Sequence, residues 1–385
     1  MSTALLMLGI LCLITALHPF ITYPWSLVYL PVLRPARRLA AGVPDVELDC
    51  AICVCAYNEE HIIARKIENL LALRAREPSL EILIYVDGAS DRTAEILREY
   101  GSQVRLHVGT RRLGKTYGMN LLASTAQAPI LIFTDANVFM DMECVRDFRR
   151  YFADAQVGCV CGNLVYTNSG ASATAFSGSA YWRFEETIKR LEMESGSMIG
   201  ADGSVFAIRR SLHQPPPDDI IDDFYLSLKI LCSGFRVIQA SDALAYEESV
   251  VSVPEEFNRK IRIACQAFNV HRLLWPELRR LDGITLYKYV SHKLIRWFTV
   301  YLLGIAGLAF EAALIVAGHT TLAAALLIGT AAALIVGYVS PIRPFAQFTS
   351  AMAALAGTGV GIWRSLRGDR YRTWTPAASI RRSPG

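Results

Sequence analysis

Charged side chains are laid along this chain in blocks. Asp, Glu, Lys and Arg are absent from residues 1–33, and between Trp297 and Trp363 only Glu311 and Arg343 carry charge. A helix needs about 20 consecutive apolar residues to span a bilayer core, so both ends have the length and composition of membrane helices. The chain of 385 residues is only 19% charged, against about 25% for a soluble domain, and most of that charge falls between Arg34 and Arg296. The pattern predicts one water-soluble domain held between hydrophobic ends, which excludes a disordered or freely soluble chain. The divisions expected are a transmembrane helix over 1–33, a soluble domain over 34–252, amphipathic interfacial helices over 253–296, a membrane region of two to three helices over 297–363, and a basic tail over 364–385.

Ala4 to Leu33 is too long for the apolar core of a signal peptide and lacks a basic start and a small-residue cleavage site. Arg34, Arg37 and Arg38 follow it directly, and Lys and Arg near a span end collect on the cytoplasmic side. The soluble domain is therefore expected in the cytoplasm of a bacterial-type inner membrane. The tail, with Arg364, Arg367, Arg370, Arg372, Arg381 and Arg382, asks for the same side. Three late crossings would put it opposite, so 345–363, the most polar of the three late segments, is expected to lie beside Pro341 and Pro344 near the inner leaflet. Glu311 is placed near the outer interface. The net charge of +4 comes mostly from the tail and the juxtamembrane arginines, which points to anionic headgroups and away from nucleic acid. Nine cysteines sit in apolar runs without the spacing of a zinc site, as core thiols in a reducing compartment do.

Within the domain, Cys50–Cys55 is a short apolar run, followed by a loop and a helical pattern at Ile62, Ile63, Ile67, Leu70 and Leu71. The alternation repeats through Leu80–Val86, Val104–Val108 and Pro129–Thr134, which predicts a mostly parallel α/β sheet with flanking helices. Ligands of such sheets bind beyond the carboxyl ends of the strands. Polar residues gather at those ends: Tyr57-Asn58-Glu59, Asp87-Gly88-Ala89-Ser90-Asp91, and Asp135-Ala136-Asn137. Each can be read alone as a cap or turn, but three in succession point to a site.

These motifs, in this order, resemble the family 2 glycosyltransferases with their GT-A nucleotide-sugar-binding fold, over about Asp49 to Trp275. The resemblance implies that Tyr57, Asn58 and Glu59 contact the nucleotide and that Asp87 recognises its base. Lys115, within Arg112-Leu113-Gly114-Lys115, and Asn120 would approach the nucleotide and diphosphate. Asp135-Ala136-Asn137 stands where the family has its metal-binding Asp-x-Asp, so Asp135 and Asn137 would hold Mn²⁺ or Mg²⁺. Asn137 departs from the usual second Asp and removes one negative charge. Gly200-Ala201-Asp202-Gly203-Ser204 resembles the acceptor-side segment, giving Asp202 and Gly203, with a plain turn as the other reading of Asp202. Asp222-Asp223 matches the Glu/Asp-Asp pair, with Asp223 as base and Asp222 raising its proton affinity through like charge. Arg262 is a candidate for the diphosphate and Gln266 for the acceptor. Processive members carry Gln or Arg, two residues, then Arg-Trp here; Gln266 is followed instead by Ala267, Phe268, Asn269 and Val270. Tyr246-Glu247-Glu248 also fits the family pattern, with a solvated strand end as the other reading of Glu247 and Glu248; Trp374 reads as an interfacial tryptophan or as a tail residue that returns to the mouth of the site.

The function these features imply is a membrane-integrated, inverting glycosyltransferase. It would move a sugar from a nucleotide-sugar, UDP- before GDP-, to a lipid-linked, glycolipid or polysaccharide acceptor. Two alternatives stand beside it: a processive polysaccharide synthase secreting through its helices, and a non-catalytic nucleotide-sugar-binding scaffold of an export complex. A homo-oligomer or an export-complex partner is compatible with all three.

Overall fold

The computed structural model describes residues 2–34, 47–167, 173–248, 253–340 and 342–374. Arg37, Arg38, Pro341, Arg381 and Arg382 lie outside the described residues. The N-terminal apolar stretch, expected as one helix, is two: α1 (Ser2–Leu17) and α2 (Thr22–Leu33) meet at 60°. The break falls at His18-Pro19-Phe20-Ile21, where proline has no N–H to continue the helical ladder.

The soluble domain begins with β1 (Cys50–Ala56), every residue of which is buried. It continues through α3 (Ile63–Arg76), β2 (Glu81–Val86), α4 (Thr93–Glu99), β3 (Arg105–Val108), α5 (Lys115–Thr125) and β4 (Ile130–Asp135). Then follow β5 (Phe139–Met140), α6 (Cys144–Tyr151), β6 (Val157–Tyr166), α7 (Ala173–Met193), β7 (Val205–Arg209), α8 (Asp222–Cys232) and β8 (Arg236–Glu247). The sheet order is β3-β2-β1-β4-β7-β6-β8-β5. Its first four strands are parallel, as expected. Beyond β4 the sheet is mixed, because β7 runs antiparallel to β4 and β6, and β6 pairs parallel with β8.

Strand side chains alternate between faces, and here both faces are covered. Cys53, Cys55, Leu83, Leu131 and Phe133 enter one apolar cluster with α5 and α8, while Ile52, Val54, Ile82, Ile84 and Ile132 enter another with α3 and α6. All nine cysteines are free. Strand order reverses between β1 and β4, where Cys55 pairs with Asp135, so a crevice opens beyond their carboxyl ends.

After the sheet come α9 (Val253–Leu278), α10 (Gly283–Tyr289), a π-helical turn at Val290–Leu294, α11 (Ile295–Val316), α12 (Thr320–Val339) and α13 (Arg343–Leu366). Among the described residues, three helical stretches are long and apolar enough to cross a membrane, Gly283–Val316, Thr320–Val339 and Pro344–Leu366, and the bent pair α1–α2 is a fourth if it forms one span. The first starts well before the expected boundary at Trp297, because the π-turn carries α10 into α11 without a break. Close helix contacts are made through glycine: a Cβ at Gly9 of α1 would lie 2.7 Å from the Phe310 ring of α11, and one at Gly361 of α13 would lie 2.5 Å from Ile261 O of α9. Small residues let helix backbones approach in this way.

A buried polar joint ties these helices to the domain. His292 lies between two carboxylates of α7, 2.7 Å from Glu192 through Nδ1 and 2.7 Å from Glu185 through Nε2. Lys293 and Arg296 also reach Glu185, and the Tyr23 hydroxyl donates to Glu192 at 2.5 Å. Burial alone would raise the Glu185 carboxyl, but the surrounding cations hold it well below the ordinary range. One joint thereby connects α2, α7 and the helical run into α11.

Candidate active site

A cavity of about 710 Å³ lies beyond the ends of β1 and β4. Its lining includes Glu59, Lys115, Asp135, Asn137, Asp222 and Asp223, and α9 closes one side with Arg262 and Gln266. Gly203 lines it as well, against the catalytic-site candidates: a Cβ there would come within 2.8 Å of Asp223 Oδ2.

Lys115 opens α5, and its Nζ lies 2.7 Å from Asp135 Oδ1 at the end of β4. Burial alone would lower its ammonium, but Asp135, Asp222 and Asp223 around it hold it above its ordinary value. Asp222 and Asp223 open α8 and are both buried. Asp223 Oδ1 accepts from Phe224 N at 2.6 Å. Burial, then the neighbouring Asp222 charge, push the Asp223 carboxyl up to about 7, against the opposing pull of Lys115. Arg262 on α9 is pushed down to about 10 by burial and by Arg259 beside it. Behind the Asp135-Ala136-Asn137 turn, fully buried Lys66 donates to Val138 O and lies 3.5 Å from Thr134 Oγ1. Burial pushes its ammonium down to about 7.

Five other sequence candidates are not among the residues that line the cavity. Asp87 is fully buried, and its carboxylate accepts from Leu113 N (2.6 Å) and Gly114 N (3.1 Å), so it anchors the loop that leads to Lys115. Asn58, at φ +52°, accepts from Ser90 N at 2.9 Å. Tyr57 lies under the Arg112 guanidinium, 3.6 Å from its ring centroid. Asn120 turns away to Pro216 O at 2.8 Å. Asp202 is engaged by Lys189 and by Cys161 Sγ (3.3 Å). Each of these five side chains has a partner on a neighbouring loop, strand or helix.

The tail supplies groups that sequence motifs missed. Tyr371, Arg372 and Trp374 line the cavity. Gln266 Nε2 donates to Tyr371 O (2.8 Å), Arg372 Nε to Leu113 O (3.0 Å), and Arg372 pairs with Asp218 at 2.5 Å. Arg112 donates to Trp374 O, and the Trp374 ring meets Tyr57 edge-on at 6.0 Å. Trp374 thus lines the cavity, in keeping with the sequence reading that returns it to the mouth of the site.

The donor set suits a hard divalent cation. Asp135 and Asn137 offer a carboxylate and an amide in one lining, and Mg²⁺ commonly takes one or two carboxylates and completes its shell with substrate phosphates and water. Asp222 Oδ2, buried in the same lining, has no hydrogen-bond partner among the described residues, as expected of a cavity that receives a cationic or hydrogen-donating guest. No group of three or more His, Cys, Asp or Glu placed to hold a metal ion is found among the described residues, so ligands beyond Asp135 and Asn137 would come with the substrate.

Residues 51–214 match the family described as Glycosyl transferase family 2. The chain is 24% identical over 225 residues to a poly-beta-1,6-N-acetyl-D-glucosamine synthase of Staphylococcus aureus, covering 54% of this chain and 53% of that one. It is 22% identical over 293 residues to an N-acetylglucosaminyltransferase of Bradyrhizobium diazoefficiens, covering 72% and 59%. The chain therefore spans little more than half the length of these curated relatives. Its fold is similar to that of the mannosyltransferase PcManGT from Pyrobaculum calidifontis in complex with GDP-Man and Mn²⁺, with TM-score 0.72, 22% identity, and coverage of 94% of this chain and 99% of that one.

Gly114, at φ +99°, touches the tail so closely that a Cβ would lie 2.1 Å from Arg372 O. Gly114→Ala is expected to release the tail from the cavity, seen as faster tryptic cleavage at Arg370 and Arg372. An unchanged cleavage rate would show that the tail is held elsewhere.

Proposed function

We propose that this chain, which carries a family 2 glycosyltransferase domain, transfers a sugar from a nucleotide-sugar to a lipid-linked, glycolipid or polysaccharide acceptor at a membrane face, with inversion. The observation that carries this is the placement of Asp223. A buried carboxyl raised to about 7 shares one lining with Asp135 and Lys115, so a base and a set of phosphate-directed groups face the same space.

Asp223 would take the proton of the acceptor hydroxyl as its oxygen attacks the anomeric carbon on the face away from the diphosphate. Lys115 and Arg262 would face the negative charge that gathers on the leaving group, in a cavity where low dielectric strengthens that interaction. A divalent cation held by Asp135 and Asn137 would add Lewis-acid stabilisation of the same diphosphate. Asp87 would act through the loop it holds, by fixing where α5 begins. Arg372 and Trp374 would cover the nucleotide side and exclude water. The two N-acetylglucosamine-related relatives favour a UDP-linked N-acetylhexosamine as donor. The synthase among them also favours a second reading, polymer formation by the same chemistry, which the length of the product decides.

The catalytic domain and the tail are expected on one side of the membrane, the cytoplasmic one. The contacts of Arg372 and Trp374 with the domain favour an even number of crossings between them, with one of the three late candidates not crossing. Thr349 Oγ1 of α13 donates to Leu334 O of α12 at 3.2 Å, and Tyr301 of α11 donates to Gly359 O of α13 at 2.7 Å. Those two attachment points each lie about 20–25 Å of helix from the turn that joins α11 and α12. We read α13 as running along the membrane face at the base of that pair. Single cysteines at Ser350 and Arg367, in a background lacking native thiols, are expected to react with an impermeant maleimide from the same side; labelling from opposite sides would make α13 a crossing helix.

The chemistry is tested with the lipid-reconstituted protein, native membrane lipid as acceptor, and a panel of UDP- and GDP-sugars with Mn²⁺, Mg²⁺ or EDTA. Nucleotide release from one donor is expected with metal, is lost with EDTA, and falls about 10²–10⁴-fold in Asp223→Asn, the usual contribution of a positioned base. Release unchanged in Asp223→Asn would remove Asp223 from the reaction. The base works deprotonated, so kcat/KM should rise with pH through about 7 and level off above it. Asp222→Asn takes away a neighbouring negative charge, lowers the proton affinity of Asp223, and should move that acid limb to lower pH; a limb that stays in place would place the titration on another group.

A further inference from the structure

We propose that a second cavity, outside the candidate active site, binds the phosphate of an anionic phospholipid through Arg272 and Arg370, which the lipid draws away from Asp219. The cavity measures about 470 Å³ and is lined by Asn269, Arg272 and Leu273 of α9, Pro217 and Asp219 of the loop that leads into α8, and Arg370 of the tail. It shares no lining residue with the first cavity. Its floor is fixed by buried Asn269, whose Oδ1 accepts from Ser365 Oγ at 2.6 Å and whose Nδ2 donates to Asp369 O at 3.1 Å. Arg272 Nη1 donates to Ser365 O at 2.6 Å. The end of α13 and the residue before Arg370 are thereby pinned to α9, and both guanidinium groups are held at one cavity. Arg370 Nε lies 3.5 Å from Asp219 Oδ2. The remaining N–H groups of the two arginines have no partner among the described residues.

Charge and surroundings select the occupant. Two arginines against one aspartate leave one positive charge over, which a phosphodiester matches, and the guanidinium fork suits phosphate oxygens. The rim is apolar: Leu273 is exposed, as are Trp275 on α9 and Trp363 and Leu366 at the end of α13. The Arg367 guanidinium lies over the Trp363 ring at 4.6 Å. Exposed tryptophan among arginines is the composition of a membrane interface, and an anionic leaflet draws basic segments to its surface. A soluble anion would have no use for such a rim, whereas a phospholipid can place its headgroup between the arginines and its chains beyond Leu273. Asp219 stands three residues before Asp222, so a headgroup that takes Arg370 from it acts on the loop that leads to the aspartate pair. The site does not depend on the transfer reaction proposed above.

Native mass spectrometry of the purified full chain, released from discs of phosphatidylcholine with increasing phosphatidylglycerol, counts the lipids each chain retains. Preferential retention of phosphatidylglycerol is expected. Arg370→Gln should weaken it about 5-fold, and Arg272→Gln with Arg370→Gln about 30-fold, the loss expected when one and two arginines leave an anionic surface. Asp219→Asn removes the competing carboxylate and should tighten retention. Arg279→Gln with Arg280→Gln takes the same charge from two exposed arginines that do not line the cavity, and should leave it unchanged. Melting curves matching the parent show that the variants are folded. Parent-like retention in the Arg272 and Arg370 double variant overturns the site, and so does phosphatidylcholine retained as well as phosphatidylglycerol. An equal loss in the Arg279 and Arg280 pair would assign the effect to surface charge at large and also overturns it. Retention unchanged or weakened in Asp219→Asn overturns the competition for Arg370. Glycerol phosphate bound by the detergent-solubilised chain as tightly as phosphatidylglycerol would make a soluble ester the occupant and overturn the lipid.

Discussion

The site is organised around one partly buried ammonium. Lys115 stands among Asp135, Asp222 and Asp223, and withdrawing such charges from water is unfavourable unless they are paired. Its position opposes local preference as well: it opens α5, where the helix dipole disfavours a cation, after a glycine that offers no capping side chain. The two aspartates opening α8 sit where the dipole favours them. Three elements distant in sequence, the starts of α5 and α8 and the end of β4, are therefore held in one electrostatic arrangement. A residue that breaks a local rule inside a paired cluster is the kind of exception expected at a functional site.

Around that cluster the structure uses its remaining polar groups to hold loops. Asp87 receives the N–H groups of Leu113 and Gly114, which sets where α5 begins and hence where Lys115 points. Asn58 bonds Ser90, and Lys66 braces the turn after Asp135 from behind. The tail completes the enclosure, held by Gln266 from α9 and by the Arg112–Gly114 loop. Glu59, after the first strand, and Trp374, in the tail, thus line the same cavity, and helix α13 leads into the tail while packing along α9.

The helices outside the domain are fastened to it by polar groups. His292, Lys293 and Arg296 meet Glu185 and Glu192 of α7, where the helical run into α11 meets the domain. Buried ion networks of this kind contribute orientation more securely than stability, because their desolvation cost offsets most of their attraction. Here that orientation sets the base of α11 and the crevice of the domain in fixed register.

Much of this was legible in the sequence because it depends on neighbours along the chain. Blocks without charge marked the apolar helices, alternation of short apolar runs with helical patterns marked the parallel half of the sheet, and Asp135, Lys115, Asp222 and Asp223 stand at element ends where a strand-helix fold collects its ligands. The tertiary structure decided which polar groups face the cavity. Tyr57, Asn58, Asp87, Asn120 and Asp202 pair with neighbouring loops, strands and helices and are not among its lining residues, while Glu247, Arg372 and Trp374 line it, the latter two from a tail that reads in sequence as basic, with Trp374 either interfacial or returning to the site. The antiparallel turn of the sheet at β7 and the break between α1 and α2 belong to the same class. Local composition determines what each segment can be, but a polar side chain commits to the partner that satisfies it after burial, and that partner is set by contacts between segments up to hundreds of residues apart.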